Sequence, residues 1–239
     1  MATADVPPKR LRMAAVDDHP IVVEGLVSLL TRGPEGSRAR PDTPAVEWLG
    51  QTRTFAELRA RIDQWPAAPD LVLFDLNLGD GTDPADGIAE LVAGGIAVVV
   101  LTSEVRPIPI RRAMKAGAAG LILKSDDLPR ILEVVRSVSR GDFAVSSDLA
   151  FVLATDDDLT PNLAPRELQV LQLLADGVPR KNVGARLDPP VKLATVVTYL
   201  NRICRRYQEN GRDVTTSQDA IRAAVADGWF DYPGTGRSG

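Results

Sequence analysis

The sequence predicts an α/β domain built on a doubly wound parallel sheet, followed by a second, smaller all-α domain. Three observations support this. Short apolar runs alternate five times with helical patterns, as in the βα units of a parallel sheet. The last third of the chain reads as four helices. Residues 1–159 carry 17 Lys and Arg against 24 Asp and Glu, whereas residues 160–212 carry 9 against 4. An acidic domain joined to a basic one indicates one part that handles cations and another that meets an anion.

The composition limits the class of protein. The 239 residues suffice for two domains, and 44% hydrophobic with 25% charged residues is ordinary for a soluble protein. No apolar run approaches the roughly 18–20 residues of a membrane span, and no signal peptide is evident. Cys204 is the single cysteine, which excludes a disulfide framework and favours a cytoplasmic setting without a membrane partner. The overall charge of −4 alone argues against nucleic acid, but it conceals the basic segment.

Five strands, each followed by a helix, are predicted after a loose leader at residues 1–10. The strands are expected at 11–16, 45–49, 71–74, 95–101 and 120–123, and the helices at 20–30, 54–64, 85–93, 109–116 and 127–140, with a surface loop at 32–44. Five uninterrupted βα units predict a flavodoxin-like, five-stranded sheet over residues 11–140, in the order 2-1-3-4-5.

Polar residues follow four of these strands. Asp17 and Asp18 follow strand one, Asp75 follows strand three, Thr102 ends strand four, and Lys124 follows strand five. The predicted order places strands one and three side by side, so the three carboxylates should converge at the carboxyl edge of the sheet. Clustered carboxylates repel one another unless a cation relieves them, and oxygen ligands with room for water suit Mg²⁺.

A carboxylate beside Mg²⁺, with a hydroxyl and an ammonium nearby, is equipped to accept a phosphoryl group. Asp75 is therefore the predicted phosphoacceptor, and the alternative is a vestigial site on the same fold. His19 adjoins the acid pair and could be a metal ligand or proton shuttle. A plain role near the start of the following helix is the favoured interpretation.

Residues 11–140 resemble a response-regulator receiver domain. The resemblance is carried by Val16-Asp17-Asp18-His19-Pro20, Leu73-Phe74-Asp75-Leu76-Asn77, Leu101-Thr102-Ser103 and the segment from Gly117 to Lys124. It implies that Asp75 is phosphorylated and that Asp17, Asp18 and the Asn77 backbone carbonyl join Asp75 in binding Mg²⁺. It also implies that Thr102 and Lys124 bind the phosphoryl oxygens.

Three positions depart from the receiver pattern. Gly79 and Ser125 stand where prolines are usual, and Leu121 replaces the usual aromatic switch residue. The acceptor chemistry does not need the residues that are usual at these positions. Signal transmission through an aromatic rotamer does need the aromatic residue that Leu121 replaces. Any switching is therefore expected to run through Thr102 and the loops after strands four and five.

The second half reads as a linker at 141–160, a helical domain at 161–232 and a disordered tail at 233–239. A short helix is expected within the linker at 147–154. The domain's helices are expected at 165–175, 179–187, 192–207 and 217–227, with a turn at 188–190. A short helix, a turn and a longer helix carrying several arginines form a helix-turn-helix pattern with a basic reading element.

Residues 160–207 resemble the LuxR-type (NarL/FixJ) DNA-binding domain. The matching text is Leu163-Ala164-Pro165-Arg166-Glu167-Leu168-Gln169-Val170-Leu171, Leu174-Ala175-Asp176-Gly177 and the segment Thr195 to Ile203. We assign Arg202, Arg205 and Arg206 to DNA phosphates or to pairing within the domain, and Lys192, Thr195 and Thr198 to the groove side. The turn is about two residues longer than usual, and Val197 replaces a common lysine, although a valine could still touch a thymine methyl.

The two resemblances together imply a two-component response regulator that acts as a transcription factor. It would be phosphorylated on Asp75 by a sensor histidine kinase, bind promoter DNA and form a homodimer, with no enzymatic activity beyond its own phosphoryl transfer and dephosphorylation. The fourth helix of the small domain could pair two copies or simply close the helical core.

Two other functions remain open from the sequence. One is an atypical receiver that is never phosphorylated and acts as a constitutive dimerisation or docking module. The other is an enzyme on the flavodoxin-like fold, for instance a phosphatase or flavin protein. The second lacks support, because Asp17-Asp18-His19-Pro20 stands where a Gly-rich phosphate loop would be expected.

Overall fold

The computed structural model describes residues 10–19, 23, 25, 27–28, 45–146, 149–150 and 160–232. The leader up to residue 9, the loop 32–44, the tail 233–239 and most of the helices predicted at 20–30 and 147–154 lie outside these residues. The chain divides into two compact units, one built around a sheet and one built from helices.

The first unit contains a parallel sheet of six described strands. Their bounds are β1 Leu11–Val16, β2 Val46–Thr52, β3 Leu71–Phe74, β4 Ala97–Thr102, β5 Gly120–Leu123 and β6 Ala144–Val145. The order is β2-β1-β3-β4-β5-β6, and each neighbouring pair is parallel. The predicted order of five strands is confirmed. β6, which lies within the predicted linker at 141–160, adds a sixth strand at the edge of the sheet.

Four described helices of the first half connect or flank these strands. They are α1 Phe55–Ile62, α2 Pro84–Ala93, α3 Pro107–Lys115 and α4 Leu128–Ser139. Asp83 and Asp127 cap α2 and α4 by accepting hydrogen bonds from backbone N–H groups of the first turn. These caps explain why each helix begins directly after an aspartate and carries a proline within its first two positions.

The sheet is buried on both faces. Leu71 and Leu73 share a core with Ile131 and Val135 of α4. Phe74 points to the other face, where its ring centroid lies 5.8 Å from that of Phe55 in α1. β3 and β5 are apolar and buried at every position, which is the pattern of central parallel strands. The polar residues that follow these two strands lie at their carboxyl ends.

Residues 160–232 form four helices in the second unit. They are α5 Pro165–Ala175, α6 Arg180–Arg186, α7 Leu193–Glu209 and α8 Ser217–Asp227. The common core combines Val170 and Leu171 of α5, Val183 of α6, and Leu200 and Ile203 of α7, among other residues. Ala220, Ile221 and Ala224 of α8 are also buried in this core. The apolar side of α8 therefore closes the helical core, which was one of its two predicted roles.

No helix in the described ranges has the length and apolar character needed to cross a membrane.

Candidate functional site

Two buried carboxylates lie side by side where β1 and β3 end. The Asp17 N–H donates to the Thr52 carbonyl at 3.0 Å, and the Asp75 N–H donates to the Val16 carbonyl at 3.0 Å. These bonds continue the hydrogen-bond ladders of the sheet, so the backbone fixes both acids. Each residue is only 2% exposed. The predicted convergence of strand ends one and three is present in the structure.

Lys124, directly after β5, lies between the two acids. Its Nζ is 2.9 Å from Asp17 Oδ1, 2.8 Å from Asp17 Oδ2 and 2.8 Å from Asp75 Oδ2. The backbone N–H of Lys124 donates to the Thr102 carbonyl at 2.8 Å, which fixes the lysine backbone beside the end of β4. The pocket thus holds two buried carboxylates and one ammonium, which leaves one negative charge uncompensated.

The pKa values of Asp17 and Lys124 reflect their burial next to other charged groups. Burial raises the pKa of Asp17, and the nearby Asp75 charge adds to the increase while Lys124 opposes it. Burial acts to lower the pKa of Lys124, but its hydrogen bonds to Asp17 and Asp75 outweigh burial and raise it. The lysine is therefore held in its charged form. Its single positive charge does not neutralise both carboxylates.

The donor set fits a hard cation. Asp17 Oδ2 is buried 2.8 Å from the Lys124 ammonium, in an ion pair whose geometry does not meet that of a hydrogen bond. Asp17, Asp18, His19 and Asp75 each offer one ligand atom, and these atoms lie within 4.8 Å of one another. Three of the four donors are carboxylate oxygens, which Mg²⁺ prefers over nitrogen. The chemistry of the donor set therefore suits Mg²⁺.

His19 serves the pocket mainly through its backbone. Its N–H donates to Asp17 Oδ1 at 2.8 Å, whereas its ring Nδ1 lies 2.6 Å from Asp18 Oδ1. The ring is 67% exposed. This arrangement supports the interpretation that His19 positions the acid pair at the start of the next segment.

Asn77 lies in the loop after β3, and Thr102 is the last residue of β4. The Asn77 N–H donates to Asp75 Oδ1 at 3.2 Å, which orients the acceptor carboxylate. Thr102 is fully buried, and its hydroxyl accepts a hydrogen bond from the Glu104 N–H at 3.0 Å. The hydroxyl is an acceptor in that bond, so its own proton can still be donated to an anion. Ligation by the Asn77 carbonyl stays a prediction.

The structure shows the local environment of the three residues that depart from the receiver pattern. Gly79 has φ +68°, a backbone conformation that proline cannot adopt. Leu121 is fully buried in β5, so its side chain is part of the core. Ser125 lies in the turn between β5 and α4, where Asp126 closes the turn by accepting from the Leu123 N–H at 2.7 Å. The loop after the acceptor is thus built around glycine.

Most of the predicted DNA-contacting residues lie on one exposed side of α7 or at its start. Lys192 is the exposed N-cap residue, and Thr198, Arg202 and Arg205 are exposed within the helix. Thr195 is half-buried. The opposite side of α7 enters the core through Val196, Leu200, Ile203 and Tyr207. A basic exposed side backed by an apolar side matches the predicted reading helix.

Arg206 departs from this group. Its Nη1 lies 3.1 Å from Oε2 of Glu167, which is 3% exposed, and it also donates to the Asn162 carbonyl. The same Glu167 oxygen accepts the Ala164 N–H at 2.8 Å and so caps the start of α5. Of the two predicted roles for Arg206, this geometry supports pairing within the domain. The assignment to phosphate therefore does not extend to Arg206.

A second buried polar network was not predicted from the sequence. The Tyr207 hydroxyl donates to Asp227 Oδ2 at 2.9 Å, and Arg212 lies 2.5 Å from Asp227 Oδ1. Burial and the Asp227 charge raise the pKa of Tyr207, which keeps the phenol protonated as a donor. The network joins the ends of α7 and α8. A tyrosine at a buried position of α7 was the available signal, since buried tyrosines need a hydrogen-bond partner.

Comparisons with known proteins agree with the two-unit architecture. The chain is 33% identical over 219 residues to the response regulator RamR of Streptomyces coelicolor, covering 92% of this chain and 98% of RamR. It is 28% identical over 208 residues to the nitrate/nitrite response regulator NarL of Escherichia coli, covering 82% and 89% of the two chains. No family model matches the chain.

A solved structure shows the same fold. RcsB from Salmonella enterica serovar Typhimurium, bound to a promoter in the presence of the phosphomimetic BeF3−, gives a TM-score of 0.63 at 17% identity, covering 91% of this chain and 99% of RcsB. The sequence relationship to RamR extends over nearly the whole of both chains. The chain therefore belongs to the LuxR-type two-component response regulators.

Proposed function

We propose that this response regulator binds promoter DNA through its helical unit and is controlled by phosphorylation of Asp75 by a sensor histidine kinase. The observation that carries the proposal is the pocket formed by Asp17, Asp75 and Lys124, in which one ammonium contacts both buried carboxylates at 2.8–2.9 Å. A salt bridge needed only for packing would not place a second, uncompensated carboxylate in the same buried space.

The pocket's residues have separate roles in the transfer. One oxygen of the Asp75 carboxylate forms a bond to phosphorus as the bond between phosphorus and the donor breaks, and the leaving group keeps that electron pair. Lys124 offers its charge to the incoming phosphoryl oxygens. The Thr102 hydroxyl offers a proton to another of these oxygens. Charge stabilisation of this kind supplies most of the catalysis in phosphoryl transfer.

Asp17, Asp18 and Asp75 would hold Mg²⁺ in this pocket. The metal would neutralise the charge that the acids and the phosphoryl group bring together. The donor set supports this assignment, because one ligand atom from each of these acids and from His19 lies within 4.8 Å of the others. Asp18 is more exposed than the other two acids, which leaves access for metal-bound water.

Mg²⁺ should raise the thermal midpoint of the sheet-containing unit. A ligand at about tenfold its Kd stabilises the native state by roughly 1.4 kcal/mol, which corresponds to several degrees for a domain of this size. Thermal unfolding with increasing MgCl₂ would measure the shift. Asp17→Asn should abolish it, whereas Asp63→Asn, which changes an exposed carboxylate outside the pocket, should not. A shift that persists in Asp17→Asn would exclude this site.

Phosphorylation is tested by incubating the full chain with acetyl phosphate and following its intact mass. We expect a gain of one phosphoryl group that requires Mg²⁺. The fully buried Leu121 in the switch position favours a second candidate, a receiver that acts without phosphorylation. That candidate predicts no mass gain with or without Mg²⁺.

The DNA-binding part of the proposal rests on α7. Arg202 and Arg205 are exposed, and the apolar side of the helix is buried in the core. Arg205 lies 3.5 Å from Glu209, an exposed pair that contributes little to stability and can be exchanged for a phosphate contact. RcsB, the structural neighbour bound to a promoter, has the same two-unit fold.

Replacing Arg202 and Arg205 together by alanine should weaken binding to all duplexes and reduce its dependence on salt. Each lost phosphate contact lowers the slope of log K against log salt concentration by about 0.9, so the double variant should lose nearly two units. Fluorescence anisotropy with a labelled duplex at several NaCl concentrations measures the slope. Arg140→Ala removes an exposed arginine outside the helical unit and is the matched control. An unchanged slope in the double variant would contradict the assignment.

We also propose that the regulator acts as a homodimer on DNA. A solved structure of two RcsB dimers bound to two parallel DNAs gives a TM-score of 0.61 to this chain. In this chain the apolar residues of α8 are occupied by its own core, so a pairing through α8 would use its exposed polar residues, such as Gln218 and Arg222. Analytical ultracentrifugation with and without duplex would show the dimer.

A further inference from the structure

The helical unit leaves two large apolar side chains exposed, and both are on α7. Leu193 is 47% exposed and Val197 is 36% exposed. They are four residues apart, so they are neighbours on one stripe of the helix. Asn201, also exposed, extends the stripe by a further turn. Among the described residues of this unit, no other large hydrophobic residue has comparable exposure.

Packing does not explain this stripe. The core side of α7 is supplied by Val196, Leu200, Ile203 and Tyr207, all buried. Leu193 and Val197 are not among the residues that form this core or pack against it. Their apolar surface is therefore free to contact a partner of the helix.

The stripe borders the basic side of the same helix. Arg202 and Arg205 lie on the same exposed surface, where Ala194 adjoins the stripe and Thr198 lies between the two arginines. The Thr198 hydroxyl donates to the Ala194 carbonyl at 3.0 Å, so its proton is used within the helix. Because the side chains of Ala194 and Thr198 are small, the helix can approach a DNA groove closely. Close approach is needed because a short side chain such as that of Val197 reaches only a short distance from the helix.

We propose that Leu193, Val197 and Asn201 form a base-reading stripe that selects A·T pairs, with the two apolar side chains against thymine methyl groups. This inference rests on the proposed DNA binding. The thymine methyl is the apolar group that base edges display in the major groove. Guanine offers two acceptors there, and neither leucine nor valine has a donor for them. Asn201 supplies the amide that pairs with N6 and N7 of adenine.

The test begins with selection of duplexes from a random-sequence pool by the full-length protein. We expect the selected half-sites to share T and A at adjacent positions. Replacing those thymines by deoxyuridine removes only the 5-methyl groups, and each buried methyl lost should weaken binding about fourfold. Val197→Ala should weaken binding to the thymine duplex and reduce the effect of deoxyuridine. Asn201→Ala should lower the preference for adenine about fivefold or more.

The outcomes separate this inference from the one it rests on. If deoxyuridine has no effect, or has the same effect in Val197→Ala as in the wild type, the base-reading stripe is wrong although DNA binding stands. A selected consensus rich in guanine at every shared position would also overturn it. Val197→Lys should shift the selection toward guanine, because lysine donates to its acceptors. If no duplex is retained and Arg202→Ala/Arg205→Ala changes nothing, both proposals fail.

Discussion

Asp75→Asn abolishes the gain of a phosphoryl group from acetyl phosphate while the protein stays folded. The amide has nearly the shape of the carboxylate but is not nucleophilic at phosphorus. The substitution also changes the charge of the pocket, since Asp17 and Lys124 then form a balanced pair. Asp75 and Asp17 are each 2% exposed, so removing one of two buried charges should not lower stability.

Intact mass measures the modification, and thermal unfolding measures the fold. Asp86→Asn, an exposed carboxylate in the first turn of α2, is the matched control and should be labelled like the wild type. Labelling of Asp75→Asn at the wild-type level would show that another residue accepts the phosphoryl group. A large loss of stability would show that Asp75 is needed for the fold.

The pocket also suggests how phosphorylation can change the protein without an aromatic switch. The loop after Asp75 is held by Asp80, which accepts the Phe55 N–H at 2.9 Å and the Thr82 N–H at 2.9 Å. Asp83, at the end of this loop, pairs with Arg112 of α3. A phosphoryl group on Asp75 would compete for Lys124 and would change the charge beside this loop. The loop contacts therefore offer a connection to α1 and α3 that does not involve the buried Leu121.

The strand ends could be predicted because their signal is local. β3 and β5 are runs of four buried residues, and the polar residue that follows each run is placed by the sheet itself. Parallel pairing then brings Asp75 and Lys124 together with Asp17 without further information. The convergence of these three side chains could be predicted from the sequence for this reason.

Other features depend on tertiary contacts that leave no pattern. β6 is two residues long and pairs through Ala144 and Val145, which is too short to show strand periodicity. Arg205 and Arg206 are adjacent in sequence, yet one is exposed and the other pairs with Glu167. That difference is set by the position of α5 beside α7, which the sequence of α7 does not contain. The positive φ of Gly79 is likewise set by the folded loop and could not be predicted from the sequence.

The second large effect is expected from Gly184→Ala in α6. A Cβ placed at Gly184 would lie 2.2 Å from the Val191 carbonyl oxygen and 3.4 Å from Val196 Cγ2. The Val191 N–H donates to the Gly184 carbonyl at 2.9 Å, so the turn between α6 and α7 is held directly against the glycine. The backbone would have to move to admit a methyl group, and overpacking of this kind costs about 1–3 kcal/mol or more.

Hydrogen exchange of the α6 and α7 amides, together with urea unfolding, measures this loss. Asn182→Ala, at an exposed position of the same helix, is the matched control and should change stability little.

Gly177→Ala separates backbone strain from steric clash, because Gly177 has φ +79° and open space around it. It should cost about 1–2 kcal/mol. Because α7 begins directly after the turn, Gly184→Ala should also weaken DNA binding, whereas Gly177→Ala should leave the position of α7 unchanged. Equal stability of Gly184→Ala and Asn182→Ala would show that the turn does not approach the glycine closely.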